Sequence, residues 1–199
     1  MKQVRNTLGT LAIAALLVQP SLAAPTETTR AGSTSVQLAP EFLKALNALK
    51  VTPASIAPGR LFIRWGGAKV MFPITAGAVD LGAVTGEMDH AGGLSLSANG
   101  TTVELSSFLI DINGNRPVLT GLAVVDDNLV GRLPLFDLHL SASRIDADDD
   151  FLKVDWVQAT LSQEAADALN KIFKVNAFAA GLPIGTAQIR AFLEPDRKH

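Results

Sequence analysis

The sequence predicts a mainly β fold: a single sandwich- or barrel-like antiparallel domain with two short packed α-helices. Short β-prone runs recur between Gly59 and about Gln158 at a spacing of roughly 8–12 residues, which is typical of sandwiches and barrels. Glycine and Asn/Asp clusters separate these runs, as turns require. Two segments with apolar residues at helical spacing flank the β-prone region.

The clearest hairpin is predicted around Asn99-Gly100. Residues 94–97 and 101–105 alternate between apolar and polar side chains on either side of this dipeptide. Asn-Gly favours a type I′ turn because both central positions need positive φ. The other predicted strands are residues 61–65, 69–74, 77–81, 108–112, 118–125, 133–142, 151–159 and 186–193.

The first helix is predicted over residues 40–50, with Pro40 in the first turn and a stop before Pro53. The second is predicted over residues 164–173, with Ser162 as its N-cap.

The two helical segments resemble each other in sequence, residues 38–51 against residues 161–175. Lys50-Val51 matches Lys174-Val175 after one inserted residue. A duplicated strand–helix unit is one explanation. Convergence is the other, because Ala, Leu and Glu are among the best helix formers and recur in short amphipathic helices.

The N-terminus predicts export. Residues 1–23 form a signal peptide, with Lys2 and Arg5 before the apolar run Leu8–Val18 and a cut after Ala23. That run is shorter than the roughly 20 residues of a membrane-spanning helix, so an uncleaved anchor is the weaker alternative. The domain predictions that follow are a flexible leader (24–35), a single β-rich domain (36–194) and a polar tail (195–199).

Composition narrows the function classes. The net charge is −2 and spread along the chain, which argues against nucleic acid, since that partner calls for a clustered basic face. The chain contains no cysteine, so a disulfide framework and thiolate metal sites are excluded. We expect a secreted, extracytoplasmic protein of the cell envelope, without a transmembrane anchor in the mature chain.

No catalytic or metal-binding set is recognisable. The sequence has three histidines and no Gly-x-Ser-x-Gly motif. His139 and Asp137 share one face of a predicted strand, which is more typical of a polar strand face than of a metal site. The acidic segments 111–115 and 146–150 lack the glycine and glutamate of a complete EF-hand loop. We interpret them as turns, and predict no catalytic residues and no metal.

The two tryptophans, Trp65 and Trp156, are predicted to be core anchors rather than platforms for a ligand.

One segment resembles a known family. Residues 86–94 (GEMDHAGGL), followed by Val103-Glu104-Leu105, are similar to the secreted β-domain called HtaA, named for haem transport in actinobacteria. The segments 72–74 and 77–80 also look like the part of that family before the histidine. The resemblance covers roughly residues 60–140.

This resemblance implies an extracytoplasmic, non-enzymatic domain with a β-sandwich-like body and two helices. In family members that bind haem, a tyrosine ligates the iron and a histidine supports it; His90 matches the supporting residue. The chain contains no tyrosine, so the family's axial ligand has no counterpart. The expectation is therefore no cofactor, with haem bound at His90 as the alternative.

The function predicted from the sequence is an exported, non-enzymatic binding or structural module of the bacterial cell envelope. Its partner would be an unknown protein, an envelope component or a small apolar ligand. One alternative is a carrier of haem or another apolar ligand that uses His90. The second is an extracytoplasmic hydrolase with paired carboxylates, whose separation only the fold can set.

Overall fold

The computed structural model describes residues 26–64 and 67–194, and the predicted signal peptide (1–23) and polar tail (195–199) lie outside these ranges. The strands are β1 (Glu27–Leu38), β2 (Thr52–Ile56), β3 (Arg60–Arg64), β4 (Gly67–Asp80), β5 (Thr85–His90), β6 (Gly93–Ala98), β7 (Thr101–Asp111), β8 (Val118–Val125), β9 (Asn128–His139), β10 (Arg144–Ala147), β11 (Phe151–Leu161) and β12 (Pro183–Leu193). The helices are α1 (Pro40–Ala48) and α2 (Gln163–Phe173).

Eight of these strands close an antiparallel barrel in the order β7-β5-β4-β1-β12-β11-β9-β8, with β8 paired back to β7. The remaining strands extend its wall: β6 and β2 continue from β7, β3 pairs with β4, and β10 pairs with β11. Inward-facing apolar side chains alternate with polar ones along the strands, as a filled barrel requires. The predicted mainly β, barrel-like fold with two short helices is confirmed.

The first strand corrects one prediction from the sequence. Residues 24–35 were expected to form a flexible leader, but residues 27–35 belong to β1, which pairs with β12 on one side and β4 on the other. The segment is polar, but it is rich in threonine, which packs well on a pleated surface. Two of these threonines, Thr29 and Thr34, are buried inside the barrel. The leader prediction was wrong, and the β-rich domain begins earlier than residue 36.

Both helices lie at one end of the barrel. β1 and β11 flank the antiparallel β12, so they run in the same direction, into α1 and α2 respectively. We call this end the helical end and the opposite end the open end. Lys50 and Lys174 both adopt the left-handed conformation just after their helices, with φ of 55° and 54°. The segments that resemble each other in sequence therefore share one strand–helix–turn conformation.

The second helix begins as predicted. Ser162 is fully buried; its Oγ accepts from the Ala165 backbone N at 3.0 Å and donates to the Pro134 carbonyl at 2.8 Å. The corresponding residue of α1 is Ala39, which offers no side-chain cap. The cap of α2 thus also ties the helix to β9.

We expect Ser162→Ala to lower the free energy of unfolding by about 2 kcal/mol. The substitution removes the helix cap and leaves the Pro134 carbonyl without its hydrogen-bond donor. Urea unfolding of the folded domain measures the loss. Ala39→Ser is the matched control, since it supplies a capping hydroxyl where α1 has none and is not expected to destabilise. A loss below about 0.5 kcal/mol in Ser162→Ala would contradict the role given to both hydrogen bonds.

The turns largely follow the local sequence. Asn99 and Gly100 join β6 to β7 with φ of 52° and 81°, as the type I′ turn predicts. Asp111 Oδ1 accepts from the Asn113 backbone N, and Asp148 Oδ1 accepts from two backbone N–H groups. The interpretation of residues 111–115 as a turn is confirmed at residues 112–115. The segment 146–150 was only partly predicted, because Asp146 and Ala147 end β10 and only residues 148–150 form the turn.

Trp156 contradicts its prediction. It was expected to anchor the core, but 61% of it is exposed to solvent. β11 carries a bulge between Val154 and Val157, where Trp156 takes a φ of 65° and the alternation of side chains is interrupted. The extra residue places Asp155 against Arg190 and turns the indole outward. The other tryptophan, Trp65, lies outside the described residues.

Candidate functional site

His90 ends β5 and lies inside the barrel. It pairs with Ile74 of β4, and only 5% of it is exposed. Its Nε2 atom is 2.7 Å from Oγ1 of Thr34 on β1. Nδ1 is buried and has no hydrogen-bond partner among the described residues. The ring is therefore held by Thr34 at Nε2, and its Nδ1 atom is buried without a well-formed hydrogen bond.

Burial lowers the pKa of His90 to about 4. The cause is desolvation, which disfavours the charged imidazolium. The backbone carbonyls of Phe108 and Met88 and the Asp89 carboxylate act in the opposite direction but do not compensate. At neutral pH the ring is uncharged, and each nitrogen acts as either a donor or an acceptor.

His90 borders an internal cavity of about 160 Å³. The surrounding side chains are almost all aliphatic or aromatic, with Thr34, His90 and Glu87 as the exceptions among side chains that carry a polar group. A dry cavity of about this size, lined by Leu, Ile and Phe, is known to bind benzene. The site is thus an apolar space with one buried imidazole in its wall.

The cavity extends along the barrel. Phe42 of α1 and Leu169 of α2 line it at the helical end. At the open end the lining includes Val84, in the turn between β4 and β5, and Ile145 of β10, which are 39% and 40% exposed. Val130 of β9, near the helical end, also lines the cavity and is 55% exposed, so partly exposed lining residues occur at both ends.

Val84 is held in an uncommon backbone conformation. Its φ is 54°, which for a β-branched residue is a genuine outlier. Next to it, Gly86 has a φ of 141°, and a Cβ there would lie 2.3 Å from the Ala78 carbonyl oxygen. This turn is fixed in a strained conformation beside the cavity, as is common at ligand sites.

The other candidate residues lie elsewhere. His139 is on the exposed face of β9, with Nε2 2.9 Å from Thr160 Oγ1. Asp137 pairs with Arg116 at 2.8 Å, and Arg116 also binds Glu164. This agrees with the interpretation of Asp137 and His139 as a polar strand face. Within residues 26–64 and 67–194, no group of three or more His, Cys, Asp or Glu side chains is placed to hold a metal ion.

The Arg116 cluster affects the charge of its partners. Its hydrogen bonds to Glu164 lower the pKa of that carboxyl to about 2. The cluster joins the loop before β8 to the first turn of α2, and so positions the helix rather than a ligand.

Two parts of the site had no signal in the sequence. Thr34 lay in the supposed leader, and the polarity of that segment hid its contact with His90. The cavity is bounded by residues from most strands and both helices, so no local pattern predicts it.

No helix in the described part of the chain is both long enough and apolar enough to cross a membrane.

The fold of this chain is similar to that of solved structures of known proteins. No protein-family model and no curated protein sequence matches the chain. The C-terminal domain of HtaA from Corynebacterium glutamicum superposes with a TM-score of 0.64 at 18% identity, covering 84% of this chain and 99% of that domain.

Two further structures from the same organism agree. The domain-swapped dimer of the HtaA C-terminal domain variant H434A gives a TM-score of 0.54 at 18% identity, covering 77% of this chain and 90% of that one. The heme binding protein HtaB gives 0.53 at 11% identity, covering 85% and 96%. The resemblance seen around His90 thus extends to most of the described chain, which has the fold of the HtaA C-terminal domain.

Proposed function

We propose that this chain is a non-enzymatic binding module that holds a small, largely apolar ligand inside its barrel, against the ring of His90. The observation that carries the proposal is the cavity of about 160 Å³, whose lining is apolar and whose wall includes the buried ring of His90. An apolar space of this size inside a barrel is able to hold a small apolar molecule.

Thr34 determines what His90 offers. Within the described residues, the Thr34 hydroxyl makes one side-chain hydrogen bond, to Nε2 of His90. If the hydroxyl donates this bond, it uses its own proton, and the ring proton then resides on Nδ1. That proton would lie near the backbone carbonyls of Phe108 and Met88, which act on the ring as hydrogen-bond acceptors. The ring would then present an apolar face to the cavity, which suits an apolar ligand.

Haem is the second candidate, and the shared fold with the heme binding protein HtaB favours it. The residues around His90 do not fit this group. Nε2 is engaged by Thr34, the ring is 5% exposed, and the chain has no tyrosine. The cavity is also smaller than the roughly 300–1,000 Å³ of most small-molecule and cofactor pockets. An iron–His90 bond would require the barrel to open, so we place haem second.

The hydrolase alternative has less support. A glycosidase needs two carboxyl groups facing each other across the substrate. Among the described residues, Glu87 is the one acid that lines the cavity. This arrangement favours binding over hydrolysis.

Export to the cell envelope is part of the proposal. It rests on the predicted signal peptide and on the absence of cysteine, which suits a fold that does not depend on the redox state of its surroundings. The envelope would supply the apolar ligand or a partner that delivers it. Secretion can be tested by fractionating cells that express the full chain.

The binding test uses benzene and 1-octanol, titrated into the purified domain by calorimetry. We expect saturable binding of one equivalent, which Ala123→Leu abolishes because the larger side chain fills the cavity that Ala123 lines. Ala54→Leu, at an exposed position of β2, is the matched control and should bind as the parent does. Binding that is absent, or equal in both variants, would overturn the proposal.

Haemin titration with a His90→Ala control decides the second candidate. A Soret band that saturates near one equivalent and is lost in His90→Ala would establish haem binding at His90. We expect a spectrum no different from that of haemin with an inert protein.

A further inference from the structure

One segment of the chain is strongly basic. Residues 42–79 contain no acidic residue, although the whole chain has a net charge of −2. The basic residues of this segment are Lys44, Lys50, Arg60, Arg64 and Lys69. The prediction of an evenly spread charge is therefore wrong for this segment, which includes α1, β2, β3 and most of β4.

Three of these cations share the outer face of the hairpin that β3 forms with β4. The outward positions of β3 are Arg60, Phe62 and Arg64. They alternate with Leu61, which lines the cavity, so their side chains lie on the opposite face of the strand. Lys69 of β4 pairs with Phe62 and therefore lies on the same outer face.

The positive charge of this face is not neutralised by its neighbours. Within the described ranges, Arg60, Arg64 and Lys69 form no ion pair. Lys69 pairs with the neutral Gln37 of β1, and β2, which contacts β3, has no charged residue. Glu41 of α1 is offset by the lysine three residues later on the same helix.

The same hairpin exposes apolar side chains. Ile63 is 72% exposed, the largest value among the large apolar residues described, and Phe62 is 37% exposed between two arginines. We call these two residues, with Arg60, Arg64 and Lys69, the basic hairpin surface. A bilayer that contains anionic lipids complements both parts of this surface, because its phosphates attract cations and the layer beneath them accepts apolar side chains.

Another hairpin exposes an apolar residue beside the opposite charge. Leu129, near the start of β9, is 69% exposed. It follows the turn that contains Asp126 and Asp127. An anionic surface would repel this hairpin and attract the basic one, so the two hairpins separate the effect of charge from that of apolar exposure.

We propose that the basic hairpin surface docks on a bilayer of anionic phospholipids. The charged groups of Arg60, Arg64 and Lys69 contact the lipid phosphates, and Ile63 and Phe62 enter the layer of head groups. An aliphatic side chain gains nothing on the phosphate backbone of a nucleic acid, which favours the bilayer. The surface lies outside the barrel wall, so this proposal does not rest on the ligand assigned to the cavity.

The test is cosedimentation with vesicles of phosphatidylcholine alone or mixed with an equal amount of phosphatidylglycerol. The protein begins at residue 24, so that the apolar run of the predicted signal peptide does not contribute to binding. We expect binding to the anionic vesicles alone, and a steep loss of affinity as salt rises from about 50 mM to about 500 mM.

Two variants test the two parts of the surface. Arg60→Gln/Arg64→Gln/Lys69→Gln should weaken binding about 100-fold, since each cation near an anionic bilayer contributes about fivefold. Ile63→Ser should weaken binding about threefold, because less apolar area is buried in the bilayer. Circular dichroism reports whether each variant is folded.

Each variant has a matched control that should bind as the parent does. Arg30→Gln/Arg144→Gln/Lys171→Gln removes three exposed cations elsewhere, and Leu129→Ser removes the exposed aliphatic side chain of the acidic hairpin. Equal binding to neutral vesicles, or equal weakening in both triple variants, would overturn the proposal. Full affinity in Ile63→Ser would also overturn it, since no apolar side chain would then enter the bilayer. Binding of a DNA duplex without binding of the vesicles would make this surface a nucleic-acid site instead.

Discussion

Replacing Gly32 with alanine is expected to lower the free energy of unfolding by about 3 kcal/mol, a large part of the stability of a typical domain. Gly32 lies in the middle of β1, with a φ of 147°. A Cβ there would lie 2.2 Å from the Arg190 carbonyl oxygen and 2.7 Å from the Ala191 Cα. Both contacts are to the backbone of β12, which cannot move without disturbing its pairing with β11.

Urea unfolding followed by circular dichroism measures this loss. Gly114→Ala is the matched control: its φ of 86° imposes a similar backbone strain, but no atom lies within 4 Å of the added Cβ. That variant should lose only about 1 kcal/mol. Equal losses in the two variants would show that β12 does not pack against Gly32. No loss in Gly32→Ala would restore the flexible leader that the sequence predicted for residues 24–35.

Residues 27–35 form a strand although they are polar, because their threonines favour strands. In most strands of this chain one face is apolar, and alternation reveals it. In β1 two of the inward positions are Thr29 and Thr34, so the alternation of apolar residues fails there. Thr34 is buried because a partner 56 residues away satisfies its hydroxyl. Such a contact depends on tertiary structure, and a local reading of the sequence does not contain it.

Features that depend on local chemistry were predicted well. The Asn99-Gly100 turn and the Ser162 cap each follow from a few consecutive residues. Trp156 was not predicted, because its exposure comes from a bulge set by the register of β11 against β12. The barrel itself followed from the spacing of strands and turns, whereas closure by the β7–β8 pairing became evident only in the structure.

The candidate site shows the same division. His90 was singled out by its neighbours along the chain, through the family resemblance around residues 86–94. The environment of His90 could not be predicted in the same way. Its burial, its contact with Thr34 and the cavity depend on strands that are distant in sequence. The resemblance indicates the fold and singles out His90, whereas the apolar cavity beside His90 favours a small apolar ligand.

Acid is expected to destabilise this protein through His90. The pKa of the folded ring is about 4, against 6.5 for an exposed histidine. Below about pH 6.5 the unfolded chain therefore binds a proton at His90, whereas the folded chain does not. The contribution of His90 to the free energy of unfolding is fully present above that pH and is lost by about pH 4. The difference corresponds to about 3 kcal/mol.

The variant His90→Gln isolates this contribution, because glutamine keeps a polar atom near Thr34 and does not titrate. Urea unfolding of both proteins between pH 4 and pH 7 gives the comparison. We expect the parent to lose about 3 kcal/mol more than His90→Gln over this range, since the carboxyl groups are common to both. His139→Gln, which removes an exposed imidazole from β9, should keep the dependence of the parent. Parallel curves for the parent and His90→Gln would mean that the pKa of His90 is the same in the folded and unfolded chain. The desolvation of His90 by burial in the wall of the cavity would then be wrong.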